Sequence, residues 1–242
     1  MPLGLVWTLG IPPAWLDDDA ALLRQFLDGA ADHCRAESMP LFGGDLEACQ
    51  GPMGCSITAF GDVAGDPLHR SGARPGDAIW LSGPAGASAA GLRALRNIRR
   101  EITPNTKPMA WLYQVHDDVR PLVLAHLYRR APMVFGSSLV GKATACIDVS
   151  DGLMRDLGRL CAASAVGAHV DNLENAVDPL IRHLPDALAL ATKGGEDYVL
   201  LFSAPPNAFI TSPSHDDVVQ PVRIGTIIAE KQIIVGNSTF ML

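Results

Sequence analysis

The stretch CIDVSDGL, residues 146–153, decides how the rest of the chain is read. Cys146, Ile147 and Val149 are strand residues, Gly152 is a turn residue, and Leu153 is the first apolar residue of a helix. Asp148, Ser150 and Asp151 are then two carboxylates and a hydroxyl set between a buried strand and a helix start. Carboxylates at the edge of a core are costly unless something pairs with them. Asp151 has a bland role open to it as the cap of the following helix.

Working outward, the pattern alternates strand and helix. On the C-terminal side, Leu153, Leu157, Leu160 and Cys161 predict a helix over 153–165 with one apolar face. GAHVD, helical spacing over 180–192, KGGEDYVLLFSAP and VRIGTII follow as strand, helix, turn with strand, and strand. On the N-terminal side, AIWLSG is a strand closed by glycine, after the turn Arg74-Pro75-Gly76-Asp77. A small-residue loop then leads to a helix with Ala89, Leu92 and Leu95 on one side, and residues 111–130 are expected to be helical in part, with Pro121 in a first turn. The first third offers a buried strand over 3–10, ended by Pro12-Pro13, and a helix from about Leu16 to Cys34 with Asp17, Asp18 and Asp19 in its first turn. A short strand runs into Gly43-Gly44-Asp45, and another strand covers 54–61. This order predicts an α/β or α+β fold. A composition break near Gly65 to His69 divides an N-terminal part, 1–66, from a C-terminal α/β domain, 67–242.

With 48% hydrophobic residues among 242, the chain can bury a sizeable core. Its net charge of −7, without a Lys/Arg cluster, argues against nucleic acid or an anionic membrane as partner, though not against a phosphorylated substrate bridged by metal ions. Five cysteines without a CxxC spacing read as free thiols of a cytoplasmic protein. The apolar start lacks a basic n-region, and no run reaches the roughly 18 apolar residues of a membrane span. The seven histidines are scattered and read as surface or satisfied residues.

GSSLVGKAT, residues 136–144, nearly matches a phosphate loop, but Ala143 stands where the magnesium-binding hydroxyl belongs, and Lys142 leads into a strand instead of a helix. Three acidic turns carry the stronger signal: GGDL with Asp45, DVSDG with Asp148 and Asp151, and GGEDY with Glu196 and Asp197. Aspartates spread over strand ends, without histidine or cysteine partners at ligand spacing, suit magnesium shared with phosphates better than zinc.

In order, FGGDL, RSGARPGDAIWLSGPAGASAAGL, ATACIDVSDGLMRDL and GGEDYVLLF resemble the thiamine-monophosphate kinase family, within the superfamily of aminoimidazole ribonucleotide synthetase. The resemblance runs from about residue 3 to residue 228. It implies an enzyme that uses ATP and Mg2+ to convert thiamine monophosphate to thiamine diphosphate. It also implies a two-domain fold with ATP in a cleft between the domains, and a homodimer in which two N-terminal domains join strands into a barrel. It implies Gly44, Asp45, Arg70 and Ser150 as ATP contacts, Asp45, Asp148 and Asp151 as metal ligands, and Glu196 and Asp197 as the acidic pair on the thiamine side. No protein nucleophile is expected, since positioning and charge neutralisation carry phosphoryl transfer.

There are departures. The family carries a further N-terminal segment with a G-D-D-A motif; GGDL replaces GGDT, and the chain stops at STFML. The N-terminal domain is therefore expected to be truncated, and a non-catalytic or incomplete binding fragment is the alternative reading. The sister synthetase activity is a third reading, and GGEDYVLLF speaks against it.

Overall fold

The computed structural model describes residues 2–98, 112, 115–211, 221–236 and 238–241. The expected helical segment 111–130 falls in part outside these residues. The chain forms two compact units, Met1–Ala64 and Gly65–Leu242.

The first unit is a three-stranded sheet with one helix. Strand β1 (Pro2–Ile11) lies between β2 (Leu41–Ala48) and β3 (Gly54–Gly61), parallel to β2 and antiparallel to β3. Leu5, Leu9 and Ile11 are its buried side chains, while β2 and β3 are exposed throughout. GGDL is thus not a turn: the ladder with β1 runs on through Gly44 opposite Trp7 and Asp45 opposite Thr8. Helix α1 (Asp17–Ala36) half-buries Leu23, Phe26, Leu27, Ala30 and Cys34, with Phe26 between Trp7 and Trp15 at ring distances of 6.1 and 6.0 Å. Leu22 and Ala31, expected on that face, are exposed. The first turn also departs from expectation: Asp18, Asp19 and Ala20 take left-handed backbone angles, and Arg24 holds the Asp19 carbonyl and carboxylate.

The second unit is built on a seven-stranded sheet of order β10-β9-β6-β8-β4-β7-β5. The strands are β4 (Ala78–Leu81), β5 (Ala145–Asp148), β6 (Gly167–Val170), β7 (Leu200–Ala204), β8 (Val222–Ile228), β9 (Gln232–Val235) and β10 (Ser238–Met241). All pairings are antiparallel except β6 with β9, which makes the unit α+β. The alternation of side chains along a strand explains its two cores. Ile79, Leu81 and Leu201 join the core formed with Leu153, Leu157, Leu160 and Cys161 of helix α5 (Leu153–Ser164). Trp80 and Phe202 join the other core, with Phe135 and Leu139. Phe135 belongs to helix α4 (Met133–Ser138) and meets Phe202 at a ring distance of 5.8 Å. Helices α2 (Ala87–Ile98), α3 (Arg120–Leu127) and α6 (Ala187–Lys193) complete the unit. Pro121 does lie in the first turn of α3.

Three local expectations are corrected. The helix read over 180–192 is a 3-10 turn, Pro179–Ile181, and then α6, because Pro185 between them supplies no N–H and clashes with a helical turn. Strands β9 and β10 and helix α4 went unread, being short and without flanking turn signals on both sides. The Gly136-Ser137-Ser138 start of the near phosphate loop ends α4, and Lys142 precedes β5, so that context is indeed a helix end leading to a strand. Among the described residues, no helix is long and apolar enough to cross a membrane.

Two predictions follow from the packing. Leu157→Ala, at a fully buried site in the α5 core, should cost about 2–5 kcal/mol in a denaturant titration. Burial pushes the Cys146 and Cys161 thiols up to about 12, so iodoacetamide at pH 8 should label Cys55, which is exposed, and spare these two until the fold is opened. Mass spectrometry of native and denatured protein reads the difference.

Candidate active site

Two of the acidic motifs come together through their backbones. Strand β5 ends at Asp148, and the chain turns through Val149-Ser150-Asp151-Gly152 into α5. The segment GGEDY, residues 194–198, runs beside this turn on its way to β7. Glu196 N–H donates to the Ser150 carbonyl at 2.9 Å, Tyr198 N–H to the Val149 carbonyl at 2.9 Å, and Val149 N–H to the Val199 carbonyl at 2.8 Å. The approach is so close that a Cβ on Gly195 would sit 2.4 Å from the Ser150 carbonyl oxygen. Gly152 has φ +116°, and a Cβ there would meet the Lys193 carbonyl oxygen at 2.9 Å. Both glycines are therefore required by the meeting of the two segments.

Along GGEDY the side chains part company. Glu196 and Tyr198 are exposed, and the Tyr198 hydroxyl donates to Glu196 Oε2 at 2.9 Å. That bond, then burial and the charges of Glu196, Asp148 and Asp151, raise the phenol pKa. Three carboxylates thus act on one hydroxyl at the rim. Asp197 points the other way and is buried. It accepts from Gly86 N–H at 2.7 Å and Ser88 N–H at 3.3 Å at the start of α2, and Arg129 Nη2 lies 3.2 Å from it. Burial pushes the Asp197 carboxyl up, and the Gly86 N–H, Arg129 and the Ser88 N–H oppose that push. Asp197 therefore ties the acidic loop to α2, and Glu196 is the member of the pair that faces solvent.

The DVSDG turn also borders a cleft of about 720 Å³ whose lining includes His69, Arg70, Asp148, Ser150, Asp156 and Arg159. Arg70, Asp148 and Ser150 were expected from the sequence and are brought together here. Asp148 is exposed, and its carboxylate forms no hydrogen bond or ion pair among the described residues. Asp151 does not cap α5, whose first position follows Gly152 without a side-chain cap. It pairs instead with Arg159 at 2.6 Å. Asp156, which sequence reading passed over, is fully buried and holds the turn: its Oδ2 accepts Asp151 N–H at 3.0 Å and its Oδ1 takes Arg159 Nη1 at 2.7 Å. Arg159 and Asp156 are three residues apart, one turn of α5, and that spacing was the available signal. His69, read as a surface or satisfied residue, lines the cleft and accepts the Cys146 N–H on its carbonyl at 2.8 Å.

Gly44 and Asp45 lie in the first unit on β2. Both are exposed, and Asp45 Oδ1 accepts its neighbour Leu46 N–H at 3.0 Å. Among the described residues, no three His, Cys, Asp or Glu side chains are grouped so as to hold a metal ion by themselves. A magnesium ion at this site would need oxygens from a phosphate as well, which is its usual habit. The free carboxylate of Asp148 and the oxygen-only chemistry of Asp148 and Asp151 fit that demand.

Comparison with known proteins identifies the family and the fold. The chain belongs to the AIR synthase related protein family, whose C-terminal domain matches residues 74–236. It is 37% identical over 208 residues to thiamine-monophosphate kinase of Salmonella typhimurium, covering 81% of this chain and 60% of that protein. The crystal structure of thiamine-monophosphate kinase from Stenotrophomonas maltophilia has 30% identity and a TM-score of 0.78, over 98% of this chain and 72% of that one. The AaThiL structure complexed with AMPPCP and TMP shares the fold at a TM-score of 0.80 and 23% identity, over 98% of this chain and 71% of that one. The chain thus spans about 60% of the length of the curated kinases it matches.

Asp197→Ala should leave two buried N–H groups and Arg129 short of an acceptor, at a cost of about 1–3 kcal/mol. A thermal or denaturant melt checks this, and an unchanged midpoint would show that the carboxylate is dispensable to the loop.

Proposed function

We propose that the chain carries the phosphate- and acceptor-binding part of a thiamine-monophosphate kinase, which uses ATP to phosphorylate thiamine monophosphate to thiamine diphosphate. The observation that carries the reading is the convergence of DVSDG and GGEDY, with Arg70, Asp148 and Ser150 lining the cleft and Glu196 exposed on the adjoining loop. The likeness to the Salmonella typhimurium kinase supports it.

In this reading the protein supplies no nucleophile. Arg70 and Ser150 bind phosphate oxygens in the cleft, Arg70 through its guanidinium and Ser150 through its hydroxyl. In the first unit, Gly44 is proposed as a phosphate contact and Asp45 as a nucleotide contact and metal ligand. Asp148 and Asp151 would hold magnesium, which when bound supplies charge neutralisation to the phosphoryl group in transfer. Glu196 serves the acceptor: thiamine monophosphate carries a cationic thiazolium and an aminopyrimidine donor, and an exposed carboxylate suits both. Asp197 contributes by holding the loop that presents Glu196. An oxygen of the acceptor phosphate then attacks the terminal phosphorus of ATP as the bond from that phosphorus to the β–γ bridging oxygen breaks and ADP leaves, and catalysis rests on alignment and electrostatics.

We also propose a cytoplasmic homodimer. Leu41, Phe42, Leu46, Ile57 and Phe60 are exposed on the small first-unit sheet, and an apolar sheet of this size is marginal without a cover. The five free thiols accord with a reducing compartment.

Titration calorimetry with ATP and Mg2+, and separately with thiamine monophosphate, tests the assignment of roles. Asp148→Asn and Arg70→Ala should each weaken nucleotide binding by roughly tenfold or more, the worth of a hydrogen bond to a charged group. Glu196→Gln should weaken thiamine monophosphate and leave the nucleotide alone. Reversed losses would exchange the two roles. Binding of both ligands without turnover would favour an incomplete binding fragment over a working kinase.

A further inference from the structure

Arg159 stands apart from the residues that the proposed reaction uses. It lies on α5 one turn beyond Asp156, lines the cleft, and reaches two carboxylates at once. Its Nη2 is 2.6 Å from Asp151 Oδ2, and its Nη1 is 2.7 Å from Asp156 Oδ1. The two partners are unequal. Asp156 is fully buried, and its second oxygen is taken by the Asp151 N–H, so it cannot leave. The Asp151 side chain is 43% exposed, and Arg159 is its one ionic partner among the described residues. One end of the bridge is therefore fixed and the other can be exchanged.

We infer that Arg159 is a positioning residue that keeps the Asp151 carboxylate in place and neutralised until a divalent cation takes it over. Asp156 is the fixed anchor that keeps the guanidinium beside the turn after the exchange. The inference rests on the proposed reading of Asp151 as a cation ligand. A guanidinium at 2.6 Å is a competitor that an incoming cation must displace or share with. The flat, forked guanidinium serves two carboxylates in fixed directions, which the single ammonium of lysine does not. The arrangement spares the turn an unpaired carboxylate beside Asp148 and Glu196 while the cation is away.

Binding of Mn2+ to the whole chain, with a non-hydrolysable ATP analogue present to supply the phosphate oxygens, tests this, with free Mn2+ counted by electron paramagnetic resonance against a protein-free control. Arg159→Met keeps the stem and removes the competitor, so it should bind Mn2+ tighter by roughly two- to fivefold, the range of an exposed ion pair. Arg159→Lys should fall between it and the parent chain. On an Asp151→Asn background, Arg159→Met should change nothing, a result that a merely structural role would not produce. If parent and Arg159→Met bind Mn2+ equally, or the variant binds it more weakly, the inference is overturned while the cation reading stands. If neither retains Mn2+, the reading of Asp151 as a cation ligand falls too. Should Arg159→Met lose its cooperative melt, Arg159→Gln takes its place with the same expectations.

Discussion

The backbone pairing between Val149-Ser150 and Glu196–Val199 is the constraint on which the rest of the site depends. It prolongs the β5/β7 ladder past the end of β5 and joins two segments nearly fifty residues apart. Once it forms, the side chains have little choice. Glu196 and Tyr198 face outward, while Asp197 and Val199 face inward. Gly195 and Gly152 then sit where any Cβ would strike a carbonyl oxygen. The acidic character of the rim is a consequence of this backbone geometry as much as of the residues themselves.

The charges are disposed in two grades. Asp156 and Asp197 are buried and satisfied by N–H groups and an arginine each, as buried carboxylates must be. Asp148, Asp151 and Glu196 are exposed and stand on what the buried pair holds still. Asp156 fixes the DVSDG turn from below through the Asp151 N–H, and Asp197 fixes the GGEDY loop through the start of α2. Rigid support under an exposed set of charges is what alignment for phosphoryl transfer requires.

The two units differ in how they bury apolar surface. The second covers its sheet with α5 on one face and α4 on the other, and Ile79, Leu81, Leu201 and Phe202 are almost wholly buried. The first has a single helix with no fully buried residue and two strands exposed from end to end. One helix of this kind cannot enclose a three-stranded sheet, so Phe42, Leu46 and Ile57 remain outside. The division near Gly65 is thus also a division between a closed core and an open one.

The sequence by itself determined the elements whose periodicity is strong. The apolar face of α5 and the strands β1, β3, β4, β5 and β8 are all legible, because 3.6- and 2-residue patterns depend only on neighbours along the chain. Asp148 was marked by its glycine turn, a local signal, whereas Arg70 and Ser150 entered only through the family resemblance. Tertiary structure alone decided the rest. It made GGDL part of a strand through pairing with β1 and split the helix around Pro185. It turned Asp197 inward to α2, and it gave Asp151 to Arg159 over the role of helix cap. Whether a carboxylate faces solvent, a backbone N–H or an arginine depends on which distant segment lies beside it, and no local spacing contains that.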